Sequence, residues 1–331
     1  MKIVLASPNF HQPRGNTVTV QRIANNLTEF GVEVEIISTT ESAQKPFPVS
    51  DLVHGFHAYR FYTFMQRLGA NFDPYVITLT GTDLNHDLFD KERRNDVLAC
   101  LTNAKAIHVF DNKAKQTLIN EIPKLQDKIF TIAQGSSIFP ESNSTNKKEK
   151  DTFLFVLPAG IRKVKNLPAA IDMLRDLHEK VPQVRLWIVG PVLEEEEGCA
   201  IKELAEKHKD WLDYLGQLPH LEMGSIYEQA DVVLNTSHAE GQPSTIIEAM
   251  SYGIPVLVSN ILGNSSIVSH EKNGFLYSDR NEFLAYAETI MNNYYEIKQT
   301  IGQSAKQYIA RNHSADEEAE TLLKIYSNIL H

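Results

Sequence analysis

Two glutamates flank a helix start in this sequence: Glu240, then Gly241-Gln242-Pro243-Ser244-Thr245, then Glu248. Proline fits a first helical turn and glycine the position past the last one, so the pattern predicts a helix from Pro243 to Gly253. Its opening turn leaves the backbone N–H groups of Ser244, Thr245 and Ile246 without intrahelical acceptors, and the helix dipole adds positive potential there. A phosphate is the anion such a turn holds. Glu240 lies in the loop before the helix. Glu248 comes about one and a half turns along it, off the apolar face of Ile246, Ile247 and Met250, so the carboxylates would bracket an anion from different sides.

The apolar runs on either side, Val232 to Leu234 and Val256 to Val258, read as buried parallel strands. Arg162 and Lys165 lie in a loop between another such strand, Thr152 to Leu157, and a helix from Pro168 to Lys180. Open α/β sheets bind ligands at the carboxyl ends of their strands, so these cations should face the same cleft as the glutamates. No Asp-x-Asp occurs, so the usual carboxylate pair for a divalent ion is missing and positive groups stand in its place. Glu194 to Glu197 diverge on any regular backbone and read as a solvated helix start. His54 and His57, three apart on a predicted strand, point to opposite faces and form no metal pair.

A chain of 331 residues is long enough for two domains of ordinary size. With 42% hydrophobic and 22% charged residues it is a globular sequence, not a disordered or fibrous one. The formal net charge of −10 argues against nucleic-acid binding, which needs a basic face. Cys100 and Cys199 indicate neither a disulfide framework nor a zinc knuckle. The apolar run Ile3 to Ala6 is too short for a signal peptide or a membrane span, so a cytoplasmic location is expected. Phe61, Tyr62, Phe64, Met65 and Leu68 fall at helical spacings and should be core; a peripheral membrane contact flanked by Arg60 and Arg67 is the alternative.

Strand and helix alternate throughout, which implies a doubly wound parallel sheet in each half with a ligand cleft between them. Lys2 to Ala6 is a first strand and Asn16 to Phe30 the helix after it. Between them Pro13-Arg14-Gly15-Asn16-Thr17 is a glycine turn where backbone can approach a phosphate or sugar. Strands follow at Val32 to Ile37, Asp51 to His57, Tyr75 to Leu79, Ala106 to Phe110 and Lys128 to Ile132. Thr80-Gly81-Thr82-Asp83 is a ligand-binding position at a strand's carboxyl end, although Asp83 would equally cap the next segment. Glu141 to Asp151 has no apolar residue and should be a linker, giving domains of 1–140 and 152–313. Ser314-Ala-Asp-Glu317 is a capping box that opens a final helix over 314–331.

Glu240-x7-Glu248 ahead of Ala249-Met250-x-x-Gly253-x-Pro255-Val256 resembles the signature of glycosyltransferase family 4, retaining enzymes of the GT-B fold with two Rossmann-like domains. Within it, Gly15-Asn16-x-Val18-Thr19, Gly81-Thr82-Asp83-x-Asn85 and Gly160-x-Arg162-x-Val164-Lys165 resemble the glycosyltransferase 1 domain-containing group. The resemblance implies that Glu240 sits by the donor sugar, that Glu248 hydrogen-bonds the nucleotide ribose, and that the Ser244/Thr245 turn holds the diphosphate. Arg162 and Lys165 would clamp that diphosphate as charge develops on the leaving group. Gly15, Asn16 and Thr17 would close over the donor, and backbone at Gly216 and Leu218 would meet the base. The last helix would return to the first domain. His57, Thr82 and Asp83 would form the acceptor side, where many members carry a His in place of Thr80.

The reaction so implied is cofactor-free, metal-independent transfer of a sugar from a nucleoside diphosphate, with retention. UDP-N-acetylglucosamine or UDP-glucose is the expected donor, and a carbohydrate, lipid-linked or small-molecule compound the acceptor. Glu240-Gly-Gln-Pro243 departs from the common Glu-Gly-Phe-Gly, and Pro243 removes a backbone donor, which leaves the hexose preference open. Alternatives are transfer to a small thiol or selenium acceptor, a GT-B nucleotide-sugar epimerase, and a non-catalytic nucleotide-sugar binding module. The intact set of Arg162, Lys165, Glu240 and Glu248 argues against the last.

Overall fold

The computed structural model describes residues 1–12, 15–41, 47–137, 139–141 and 146–331. Pro13 and Arg14 of the glycine turn and residues 142–145 of the expected linker lie outside these. The chain divides into two compact units, Met1–Gly135 with His313–His331, and Ser136–Asn312.

In the first unit β1 (Lys2–Ser7), β2 (Glu33–Ser38), β3 (Leu52–Phe56), β4 (Tyr75–Thr78), β5 (Ala106–Val109) and β6 (Ile129–Thr131) form one sheet in the order β2-β1-β3-β4-β5-β6. Every pairing in it is parallel. Ile3, Val4, Leu5 and Ala6 are fully buried, as a strand between two others and beneath helices must be. β2 is one of the two edge strands, and Glu33 and Glu35 on its wetter face reach Lys2 at 3.0 and 3.5 Å. The helix Ala58–Leu68 carries the residues read at helical spacings, and Phe61, Phe64 and Met65 pack under it against Val53, Tyr75 and Ile77. Those aromatics are core. No helix among the described residues is long and apolar enough to cross a membrane.

The second unit carries β7 (Phe153–Pro158), β8 (Val184–Val189), β9 (Leu212–Gly216), β10 (Val232–Asn235), β11 (Val256–Ser259) and β12 (Phe275–Tyr277), all parallel, in the order β12-β11-β10-β7-β8-β9. Strand order reverses between β7 and β10, so the loops leaving their carboxyl ends lie side by side. Residues 146–149, expected to be linker, are tied to this unit: Lys148 N–H donates to Gln229, its ammonium pairs with Asp231, and Glu149 pairs with Arg185 at 2.7 Å. Several elements go beyond the sequence reading, three of them instructive. The helix Arg94–Asn103 buries Val97, Cys100 and Leu101, an apolar stripe little more than one turn long and without aromatics, and Met223–Gln229 is short and contains Gly224, a poor helix former. β12 has three residues, too short for a period to show.

The final helix, Ala315–Leu330, packs on Gly15–Glu29 within the first unit; Ser314 Oγ caps it by accepting from Glu317 N–H at 3.2 Å. Arg22 forks onto Glu318 at 2.9 and 3.0 Å, both side chains buried. Beneath this helix runs a chain of buried polar groups. Tyr326 Oη meets His54 Nδ1 (2.5 Å), His54 Nε2 meets Thr78 Oγ1 (2.6 Å), Thr78 Oγ1 meets His108 Nδ1 (2.8 Å), and His108 Nε2 meets the Ile132 carbonyl (2.9 Å). A carbonyl only accepts, so with both imidazoles neutral every donor in the row points from Tyr326 toward Ile132.

Candidate active site

The loops after β7 and β10 bring Lys165 and Glu240 together. Lys165 Nζ donates to Glu240 Oε1 at 2.5 Å, and Ser237 Oγ (2.7 Å) and Asn235 Nδ2 (3.1 Å) donate to the same oxygen. The Glu240 side chain is 9% exposed. Burial by itself would raise its pKa, but the Lys165 charge and these hydrogen bonds outweigh that and hold the carboxyl below its usual range. Glu240 is therefore an ionised group with Oε2 unclaimed by any described residue.

The loop carrying Glu240 is fixed from several directions. Thr236 Oγ1 donates to the Lys165 carbonyl (2.9 Å) and His238 N–H to that of Val164 (2.8 Å), which binds the two loops together. Asn235 Oδ1 accepts from Ser237 N–H (3.0 Å) and Asn264 Nδ2 (3.2 Å), and Asn264 Nδ2 also reaches the Ser259 carbonyl (2.8 Å). Gly263 lies so close behind that a Cβ there would stand 2.4 Å from the Gly241 carbonyl oxygen. The sequence reading missed Asn235, Ser237, Ser259, Gly263 and Asn264. The available signal was small polar residues directly at the carboxyl ends of two apolar runs.

Arg162 is placed differently from its neighbour. Its Nε is buried without an acceptor, and no carboxylate pairs with it among the described residues. The helix beyond Glu240 spans Ser244–Ser251, with Gly253 at φ 70° as its stop. One expectation is corrected here. Ile246 N–H is not open, because the extended Pro243 folds its carbonyl over the first turn and accepts from Ile246 (3.1 Å) and Ile247 (3.3 Å). Ser244 and Thr245, both partly exposed, keep their N–H groups unpaired among the described residues.

Glu248 is 1% exposed, with Oε1 2.9 Å from His220 Nε2 and Oε2 accepting from the Tyr227 hydroxyl at 2.7 Å. Burial, and the Glu248 charge next, hold the Tyr227 hydroxyl far above its usual pKa. The chain reaches His220 through Gly216, whose φ of 72° calls for glycine, and the half-buried Leu218.

In the first unit Gly15, Asn16 and Thr17 form the first turn of Gly15–Glu29, and Thr17 Oγ1 donates to the Gln12 carbonyl at 2.7 Å. A Cβ at Gly15 would meet nothing within 4 Å. His57 has a left-handed backbone (φ 71°), is 6% exposed, and places Nε2 3.7 Å from Asp87 Oδ2, while Asp87 Oδ1 accepts from Arg93 at 2.8 Å. Thr82 is exposed. Asp83 is fully buried: Oδ1 accepts from the N–H groups of Thr80, Gly81 and Leu84 at 2.9 to 3.2 Å, and Oδ2 from that of Ala58 at 2.9 Å. It thus caps the helix Ala58–Leu68 that precedes it, as well as the turn in which it sits. No three His, Cys, Asp or Glu side chains converge as a metal site among the described residues.

Two Rossmann-like parallel sheets, one of them carrying a buried carboxylate, an unpaired arginine and an open helix start at its switch point, define a two-domain enzyme of the GT-B architecture. The chain belongs to the glycosyl transferases group 1 family, whose profile matches residues 138–308. It is 28% identical over 336 residues to glycosyltransferase 1 domain-containing protein 1 of Xenopus tropicalis, covering 95% of this chain and 94% of that one. The GtfA subunit of the UDP-N-acetylglucosamine–peptide N-acetylglucosaminyltransferase of Streptococcus pneumoniae is 24% identical over 243 residues, 70% of this chain and 47% of its own. The chain thus spans about half of that relative's length. Among solved structures, Anabaena HepE in complex with UDP and glucose superposes with a TM-score of 0.78 at 17% identity, over 99% of this chain and 100% of that one. Sucrose-phosphate synthase from Thermosynechococcus elongatus gives 0.80 at 16%, over 99% of each. The protein is a glycosyltransferase.

Proposed function

We propose that this glycosyltransferase is a retaining, metal-independent enzyme of family 4 that moves a sugar from UDP-N-acetylglucosamine or UDP-glucose to a carbohydrate, lipid-linked or small-molecule acceptor. The observation that carries the reading is the Glu240 cluster: an ionised carboxylate with one oxygen bound three times and the other unclaimed, beside the open N–H groups of Ser244 and Thr245. Those N–H groups and the Arg162 guanidinium hold the diphosphate, and Lys165 is shared between it and Glu240. Positive groups so placed stabilise the leaving nucleotide in the role a divalent ion has in other enzymes. Glu240 then faces the anomeric carbon, where positive charge grows as the bond to the diphosphate breaks.

Glu248 takes the ribose and the backbone at Gly216 and Leu218 the base. Within the first unit, Gly15, Asn16 and Thr17 are assigned to the donor, and His57 and Thr82, on the turn that Asp83 secures, to the acceptor. The uridine preference is supported by the solved relatives described as UDP complexes, among them HepE with UDP-glucose and pneumococcal GtfA with UDP and GlcNAc. Incubation with each nucleotide sugar and pooled acceptors, with UDP release and the anomeric coupling constant of the product as readouts, tests all parts together. An inverted product, or release only from a GDP- or ADP-sugar, overturns the corresponding part.

A further inference from the structure

We propose that His220 is a positioning residue for Glu248 that holds its carboxylate in the empty enzyme and is displaced by the donor's ribose. The inference rests on the reading of Glu248 as the ribose contact. At 1% exposure Glu248 offers no face to a nucleotide while both its partners are in place.

The two partners differ in kind. Tyr227 is fully buried among Ile226, Val233 and Met250, and its hydroxyl has nowhere else to go. His220 is on the short turn His220–Glu222 that follows Pro219, with its side chain 34% exposed. Its ring makes one hydrogen bond among the described residues, to Glu248, and one edge contact, to Phe139 at 5.0 Å between centroids. Turning it outward costs little packing. Leaving the Glu248 oxygen bare would cost far more, since an unpaired carboxylate at that depth loses its hydration without return. His220 thus does for the empty site what two ribose hydroxyls do for the filled one.

Two hydroxyls can replace one imidazole N–H, whereas a nucleotide lacking both has nothing to offer Glu248 and binds with His220 in place. The affinity for a ribonucleotide is then its intrinsic value reduced by the fraction of molecules in which His220 is turned away. Calorimetric titration of the full chain with UDP and with 2′,3′-dideoxyuridine diphosphate reads this directly. His220→Ala should tighten UDP about three- to tenfold, the worth of one competing hydrogen bond, and leave the dideoxynucleotide unchanged. His220→Gln, whose amide can still donate to Glu248, should bring UDP back toward wild-type affinity. A His220→Ala protein with unaltered melting temperature that binds UDP more weakly, or shifts both nucleotides equally, overturns the proposal. Glu248→Gln separates this from the reading beneath it: an unchanged UDP-to-dideoxy ratio in that variant means that Glu248 is not the ribose contact, and the role of His220 falls with it.

Discussion

Lys165 and Glu240 are bonded to each other at 2.5 Å, a cation from the loop after β7 and an anion from the loop after β10, at residues 75 positions apart. Each is mostly buried, at 16% and 9% exposure, and each supplies the other's counter-charge. Under the proposed function Lys165 would have two duties, to set the charge of Glu240 and to meet the diphosphate, and Arg162 only the second.

That difference should appear on substitution. Arg162→Ala and Lys165→Ala should each cost about 2 to 4 kcal/mol of transition-state stabilisation, read as kcat/KM for the donor. Only Lys165→Ala should also lower the melting temperature, because it strands a buried carboxylate. Lys165→Arg should restore stability more than rate, since the planar fork cannot reproduce a single ammonium contact. Unchanged kinetics in both alanine variants would remove the clamp.

The two glutamates should separate kinetically. If Glu248 holds the ribose in ground and transition states alike, Glu248→Gln should mainly raise the donor KM, whereas Glu240→Gln should lower kcat more than it raises KM. A Glu240→Gln enzyme with wild-type kcat would sink its assignment.

Gly263→Ala tests the packing behind Glu240. A methyl group 2.4 Å from the Gly241 carbonyl must push the loop outward, so kcat should fall while the second unit stays folded by circular dichroism. Full activity would show that the loop position is not critical.

Chelation by EDTA should leave turnover intact if cationic side chains and a helix start carry the diphosphate charge. Activity that is lost in EDTA and returns with Mn²⁺ would refute metal independence.

The first unit should be acid-sensitive. Burial, and for His54 the neighbouring His108 as well, pushes both imidazoles below their ordinary pKa. Below about pH 6.5 the unfolded chain takes up protons that the folded row of donors cannot accept. Stability is therefore fully present above that pH and declines as pH falls from it toward the depressed native values. Thr78→Val, which breaks the row, should cost about 1 to 3 kcal/mol at neutral pH. A flat melting temperature between pH 7.5 and 5.5 would contradict this account.

Local signals were legible in the sequence wherever one element carried the whole message. The helix Ala58–Leu68 follows from aromatic spacing, the last helix from Ser314 and Glu317, and the strands from apolar runs. The Lys165–Glu240 bond was not legible, since it joins two loops and depends on which strands are neighbours. Asn235, Ser237 and Asn264 escaped for the same reason: each is an ordinary polar residue until strand order sets them around one oxygen. Glu248 was placed on its helix correctly, but its burial comes from His220 and Tyr227, which belong to other elements. Ile246 shows the limit of counting N–H groups from sequence, because a proline carbonyl outside the helix turned back onto it.

Arg22 and Glu318 meet across 296 positions of chain, and the helix bearing Glu318 belongs to the unit that starts at Met1. During synthesis, the unit begun first is therefore completed last. Ser136–Asn312 is contiguous and can fold once it has left the ribosome, whereas β1 to β6 must wait, with Ile23 and Leu27 uncovered, for Ala319, Leu322 and Tyr326 to emerge. A premature stop codon after Asn312 would leave Ser136–Asn312 whole and strip the other unit of the helix bearing Glu318, so if Ser136–Asn312 holds the donor as proposed, such a truncation should still bind nucleotide while tending to aggregate.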